Sequence, residues 1–138
     1  MHQVVYYSRG GNTRKLAGAI AEELGVKAVD VKAASISPAP GVIFLGSGCY
    51  GGRPGEDMTK FIQSHDFTGR KIALFSTSWM NYGKEIDMMT SALKGKGAAI
   101  IGHYHCKGKT GLIFNRGHPD QADLAGGKKF AQEMAKLG

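Results

Sequence analysis

Acidic residues are scarce in this chain. Eleven Asp and Glu stand against eighteen Lys and Arg, a formal net charge of +7 with His neutral. Cysteine is rarer still: Cys49 and Cys106 lie in different segments and form no CxxC, which excludes a zinc knuckle and a dithiol redox pair. Any redox chemistry must then come from a cofactor. No apolar run approaches the roughly 18 residues of a membrane span. The first residues, Met1-His2-Gln3-Val4-Val5, lack the basic region and cleavage site of a signal peptide, so the expected location is the cytoplasm, with no membrane association. No acid occurs between Val4 and Thr13, where a phosphoacceptor receiver needs several, and neither cysteine has the spacing to an arginine that a cysteine phosphatase loop requires. Internal repeats, low-complexity tracts and linkers are absent as well.

The positive charge predicts an acidic partner, a phosphorylated ligand or weak nucleic-acid binding. Its dispersal over Lys27, Lys32, Lys60, Arg70, Lys84 and Lys94 argues against a specific nucleic-acid site and reads mostly as solvated helix faces. Only Lys107 to Lys109 and Lys128-Lys129 are locally dense.

With 138 residues and 42% apolar content, the chain is sized for one domain, residues 1–138, with one continuous core. Val4-Val5-Tyr6-Tyr7 reads as a strand, Ser8 to Thr13 as a loop, and Leu16, Ile20 and Leu24 as one helical face stopped by Gly25. Lys27 to Val31 is a weaker strand, followed by a connector whose Pro38 and Pro40 exclude regular structure. Gly41 to Gly46 is an unbroken apolar strand, Ser47 to Arg53 its loop, and a helix is expected to start near Pro54 with Met58, Phe61 and Ile62 buried. Lys71 to Ser76, the loop Thr77 to Gly83 and a helix carrying Ile86, Met89 and Leu93 repeat the pattern. Gly97 to Gly102 and a helix over Gln121 to Leu137 complete it. Strands alternating with helices imply right-handed crossovers and an α/β doubly wound parallel sheet. Ligands of such sheets lie outside the carboxyl ends of the strands, where the strand order reverses.

The unusual residues sit in those carboxyl-end loops. Ser8-Arg9-Gly10-Gly11-Asn12-Thr13 places hydroxyls, an amide, an arginine and two glycines before a helix, which suits a terminal phosphate; a plain helix cap by Ser8 or Asn12 is the other reading. Cys49-Tyr50-Gly51-Gly52 offers an aromatic side chain followed by glycines, suited to covering a flat heterocycle or to an ordinary turn with a half-buried Tyr. Thr77-Ser78-Trp79-Met80-Asn81-Tyr82 holds the single tryptophan and a tyrosine, for ring stacking or for packing in a core or interface.

Tyr7 to Thr13 resembles the flavodoxin phosphate loop, with Ser8, Gly11 and Thr13 matching and Asn12 common at its place; Gly10 departs from the usual Thr, so one hydroxyl contact is missing. The loop around Tyr50 resembles the flavodoxin segment over one face of the isoalloxazine ring, and the loop around Trp79 the segment at the opposite face or pyrimidine edge. The segments around His103 to Lys109, Gly117 to Asp120, Asp123-Leu124 and Lys128 to Ala131 extend the likeness to small bacterial and archaeal flavodoxin-like proteins across nearly the whole chain.

The resemblance implies a five-stranded sheet in the order 2-1-3-4-5. It also implies FMN held non-covalently by Ser8, Arg9, Gly10, Gly11, Asn12, Thr13, Cys49, Tyr50, Gly51, Gly52, Thr77, Ser78, Trp79, Met80, Asn81 and Tyr82, with the Gly51 carbonyl facing flavin N5. It implies a monomeric or weakly dimeric carrier that passes single electrons between partner enzymes, with no catalytic residue and no metal. Its positive charge, unlike that of many acidic relatives, predicts acidic docking partners and a less negative potential for the fully reduced flavin. A small NAD(P)H:quinone reductase moving hydride on the same fold, or a cofactor-free scaffold, are the alternatives. His103, His105, His118 and Cys106 are expected to be structural, since no carboxylate or second cysteine is seen at metal-ligand spacing.

Overall fold

The computed structural model describes residues 2–78, 83–108 and 117–138. Strands β1 (Gln3–Tyr7), β2 (Ala28–Asp30), β3 (Val42–Tyr50), β5 (Lys71–Ser78) and β6 (Ala99–Lys107) are parallel and lie in the order β2-β1-β3-β5-β6. Two residues, β4 (Arg53–Pro54), fold back antiparallel on the end of β3. Leaving β4 aside, this is the expected 2-1-3-4-5 order.

Among the described residues, four α-helices cover the sheet: α1 (Asn12–Leu24), α2 (Glu56–Ser64), α3 (Lys84–Lys94) and α4 (Gln121–Ala135). The strand period of two divides the apolar residues between two cores. Val5, Ile43, Leu45, Ile72 and Leu74 pack under Met58, Phe61 and Ile62 of α2 and Ile86, Met89 and Leu93 of α3. Val4, Phe44, Ala73 and Phe75 face Leu16 and Ile20 of α1 and Phe130 of α4 on the other side. The stripes predicted for α1, α2 and α3 thus face the two cores, with Leu24 at the margin of its core. Gly25 ends α1 with φ of 69°.

The strands run further than their apolar runs. Ser47 to Tyr50 belong to β3 and Thr77-Ser78 to β5, because Ser47 pairs with Ser76 and Gly48 with Thr77, so the ladder continues where hydrophobicity stops. Likewise β6 continues to Lys107, held by pairs such as Tyr104 with Phe75 and His105 with Ser76. Pro54 does not start a helix. It sits opposite Cys49 in β4, and α2 begins two residues later behind Gly55, whose N–H is taken by Ser47 Oγ at 2.8 Å. The proline connector is tied down by Arg70, which donates to the carbonyls of Ser37 (2.6 Å) and Ala39 (3.0 Å). Among the described residues, no helix is long and apolar enough to cross a membrane.

Candidate functional site

The carboxyl ends of β1, β3 and β5 are neighbours in the sheet, so the loop after β1, the turn after Tyr50 and Ser78 lie along one edge. After β1 the chain makes a left-handed turn at Gly11 (φ 94°, ψ −8°), and α1 starts there with no side-chain cap and no acid in its first turn. Instead of capping the helix, Ser8 Oγ accepts from the Gly11 N–H at 3.0 Å and closes the loop on itself. A β-carbon added at Gly10 or Gly11 would meet nothing within 4 Å, so this loop borders open space. Unpaired amides at a helix start carry partial positive charge and accept an anion. Thr13 points the other way: it is 1% exposed, and its hydroxyl pairs with that of Thr77 at 2.8 Å, fastening α1 to β5.

Tyr50 ends β3 and lies across the first loop. Its hydroxyl accepts from the Arg9 N–H at 2.9 Å, the Arg9 guanidinium sits 4.3 Å from the ring centre, and the Tyr7 ring meets it edge-on with the ring centres 5.9 Å apart. Burial pushes its phenol up from the ordinary value. Gly48 has no room for a side chain because this ring folds back over it, with the hydroxyl 2.5 Å from where a β-carbon would be. Gly51 (φ 62°) and Gly52 (φ 79°) follow in the left-handed region. Ser78, at the end of β5, gives its carbonyl to the Gly108 N–H at 3.0 Å, which brings the end of β6 to the same edge. Trp79, Met80, Asn81 and Tyr82 lie outside the described residues.

Below this edge, on the α2 and α3 side, the apolar rows of β3 and β5 end in Ser47 and Ser76. Glu85, the second residue of α3, enters here fully buried, and its Oε1 accepts from Ser76 Oγ at 2.5 Å. Its Oε2 is buried with no hydrogen-bond partner among the described residues. Burial, then the neighbouring Glu85 carboxyl, pushes the partly exposed Cys49 thiol up to about 11. Burial takes Cys106 to about 12. Both are therefore protonated at neutral pH and are poor nucleophiles.

A family profile described as a flavodoxin domain matches residues 3–113. The chain belongs to that family. A sequence relative, an uncharacterised protein of Methanocaldococcus jannaschii, is 32% identical, with 91% of each chain covered. Among solved structures, a flavodoxin from the domain Archaea superposes with a TM-score of 0.79 at 20% identity, covering 99% of this chain and 96% of that one. Flavodoxin 1 of Bacillus cereus gives 0.73 at 19% identity over 99% and 98%. The rubredoxin oxygen:oxidoreductase of Desulfovibrio gigas gives 0.78 at 20% identity, but the match spans only 35% of that chain.

Within this flavodoxin domain, sequence reasoning passed over Glu85, because a glutamate near a helix start reads as a solvated first-turn acid. Its only signal is an acid one place before the buried Ile86. The reading of His118 needs correction. Its Nδ1 lies 2.6 Å from Asp123 and 3.7 Å from Asp120, so carboxylates do accompany it. These three side chains bring their ligand atoms within 4.8 Å of one another, but the two aspartates already form a reciprocal capping box on α4, and His118 braces it.

Proposed function

We propose that this chain binds FMN at the loops after β1, β3 and β5 and carries single electrons between redox partner proteins. The observation that carries the reading is the uncapped start of α1 behind the left-handed Gly11, set beside Tyr50 on one sheet edge. The amides from Ser8 to Thr13 and the Ser8 hydroxyl would hold the phosphate, and Cys49 to Gly52 and Thr77 to Tyr82 would flank the ring. With Thr13 and Thr77 engaged with each other, the cradle relies chiefly on backbone N–H groups and Ser8, which is compatible with glycine at position 10. FMN supplies the one-electron chemistry; the protein orients it and sets its electrostatic surroundings.

Titration of the apoprotein with FMN, followed by quenching of flavin fluorescence, tests this directly. Wild-type protein is expected to quench FMN stoichiometrically. Gly11→Ala, forced out of a conformation that costs an L-residue about 1–2 kcal/mol, should bind roughly tenfold more weakly with unchanged circular dichroism. Unquenched FMN with folded wild-type protein would overturn the reading.

Net charge supports acidic docking partners. Electron exchange with an acidic redox protein should slow as ionic strength rises, because screening shortens the reach of the field. A rate indifferent to salt would refute electrostatic docking.

A further inference from the structure

The carboxyl end of β6 also reaches the first loop, and it does so at a glycine. Along β6 the register shifts by one residue, since Ile72 stands opposite Ile100 and Ala73 opposite Gly102. An extra residue in one strand exchanges the faces of those that follow it. Ile100 packs with the core under α2 and α3, whereas Tyr104 and Cys106 beyond the shift pack with the core under α1 and α4. Gly108 continues that series and is buried, while Lys107 is exposed. A β-carbon on Gly108 would lie 3.0 Å from Asn12 Nδ2, 3.2 Å from Asn12 Cβ and 3.2 Å from Thr77 Cβ. Carbon atoms in good contact sit about 3.5–4.0 Å apart, so a neighbour would have to move. Thr77 is held in the β5 ladder, 3% exposed, with its hydroxyl on Thr13. Gly108 itself is fixed by its N–H to the Ser78 carbonyl at 3.0 Å. Asn12 is the first residue of α1, and the loop before it has open space at Gly10 and Gly11, so the displacement would pass into Asn12 and the amides that precede it.

We propose that Gly108 is a positioning residue for the phosphate: by admitting Asn12 against the end of β6, it sets where the amides of Gly10, Gly11 and Asn12 point, and with them the selectivity for a flavin that carries a phosphate over one that does not. This role rests on FMN binding as proposed above. It gives β6 a part in a site otherwise built from the ends of β1, β3 and β5. Gly108 offers the ligand no charge and no hydroxyl; its contribution is the space left by one absent methyl group, which the start of α1 fills.

Parallel titrations with FMN and with riboflavin, which has the same ring and no phosphate, separate this role from a general loss of fold. In Gly108→Ala the affinity for FMN should fall roughly tenfold, the cost of one methyl group too many in a packed site, while that for riboflavin changes by less than about twofold. Asn12→Gly removes two of the three atoms nearest the new carbon, so in that background the same alanine should cost about threefold or less. Unchanged FMN affinity, an equal loss for both flavins, or the same loss with and without the Asn12 side chain would overturn the proposal while FMN binding stands. If Gly108→Ala does not fold, the wild-type protein carries the test. In amide NMR, inorganic phosphate should move the Gly108 and Asn12 resonances with one midpoint, and a Gly108 resonance that stays in place would overturn the proposal. Failure of wild-type protein to quench FMN would remove both readings together.

Discussion

Tyr50 makes a contact that the cofactor would have to replace. Its hydroxyl holds the Arg9 N–H, one of the amides available to a phosphate, and one side of its ring is covered by the Arg9 guanidinium. A ring that lies over the first loop cannot also stack on a flavin, so the proposed loading would require the tyrosine to turn outward. Removing only the hydroxyl by Tyr50→Phe keeps the stacking surface and releases the amide. A hydrogen bond of this kind contributes about 0.5–1.5 kcal/mol, so FMN should associate faster and bind up to roughly tenfold more tightly. Stopped-flow fluorescence reads this; an unchanged association rate would mean that the contact does not compete with the ligand. At the same scale, Gly46 shows what a sequence conceals. A β-carbon there would lie 1.9 Å from the ring of Phe75, so the glycine exists to admit a side chain from the neighbouring strand, a long-range fact with no local signature.

At the scale of elements, Lys96 joins two layers of the fold. Just beyond α3, its ammonium donates to the carbonyls of Ile62, Gln63 and His65 at the carboxyl end of α2. Three orphan carbonyls and a helix dipole are answered by one charge. Lys96→Met keeps the aliphatic stem and removes the donors, and should cost about 2–3 kcal/mol in urea unfolding with little change in FMN affinity. A loss below about 0.5 kcal/mol would show that water serves the carbonyls equally well. Periodicity made the helices legible, since Leu16 and Ile20, Phe61 and Ile62, and Met89 and Leu93 all face a core as their spacing predicts. The ends were less so. Ser47 to Tyr50 and Thr77-Ser78 are strand because of their partners across the sheet, and Pro54 is paired at an edge where its missing N–H is harmless. The loop between β1 and α1 was legible because glycine before a helix is a local signal; the buried Glu85 was not, because burial of an acid depends on what Ser76 and Cys49 bring to it.

At the scale of the molecule, the two cores have separate duties. The layer formed by α1 and α4 is apolar up to the Thr13–Thr77 bond, whereas the layer under α2 and α3 ends in Ser47, Ser76, Cys49 and Glu85. Among the described residues, the buried polar side chains thus collect toward the carboxyl ends of the strands, and the other buried side chains are apolar. The positive charge of the chain acts over a longer range, on partners and on the phosphate, and its reach ends within a Debye length.

The position of β1 between β2 and β3 has a consequence for biogenesis. The residues of the first loop are translated before the strands on either side of β1, and β5, which supplies Thr77 to fasten α1, comes later still. Non-local parallel pairing carries a loop-closure cost that must be met before the contacts are gained. A nascent chain that has emerged only as far as α2 therefore has the sequence of the proposed anion site without its fold, and capture of the proposed cofactor would wait until Thr77 and Ser78 have left the ribosome and joined the sheet.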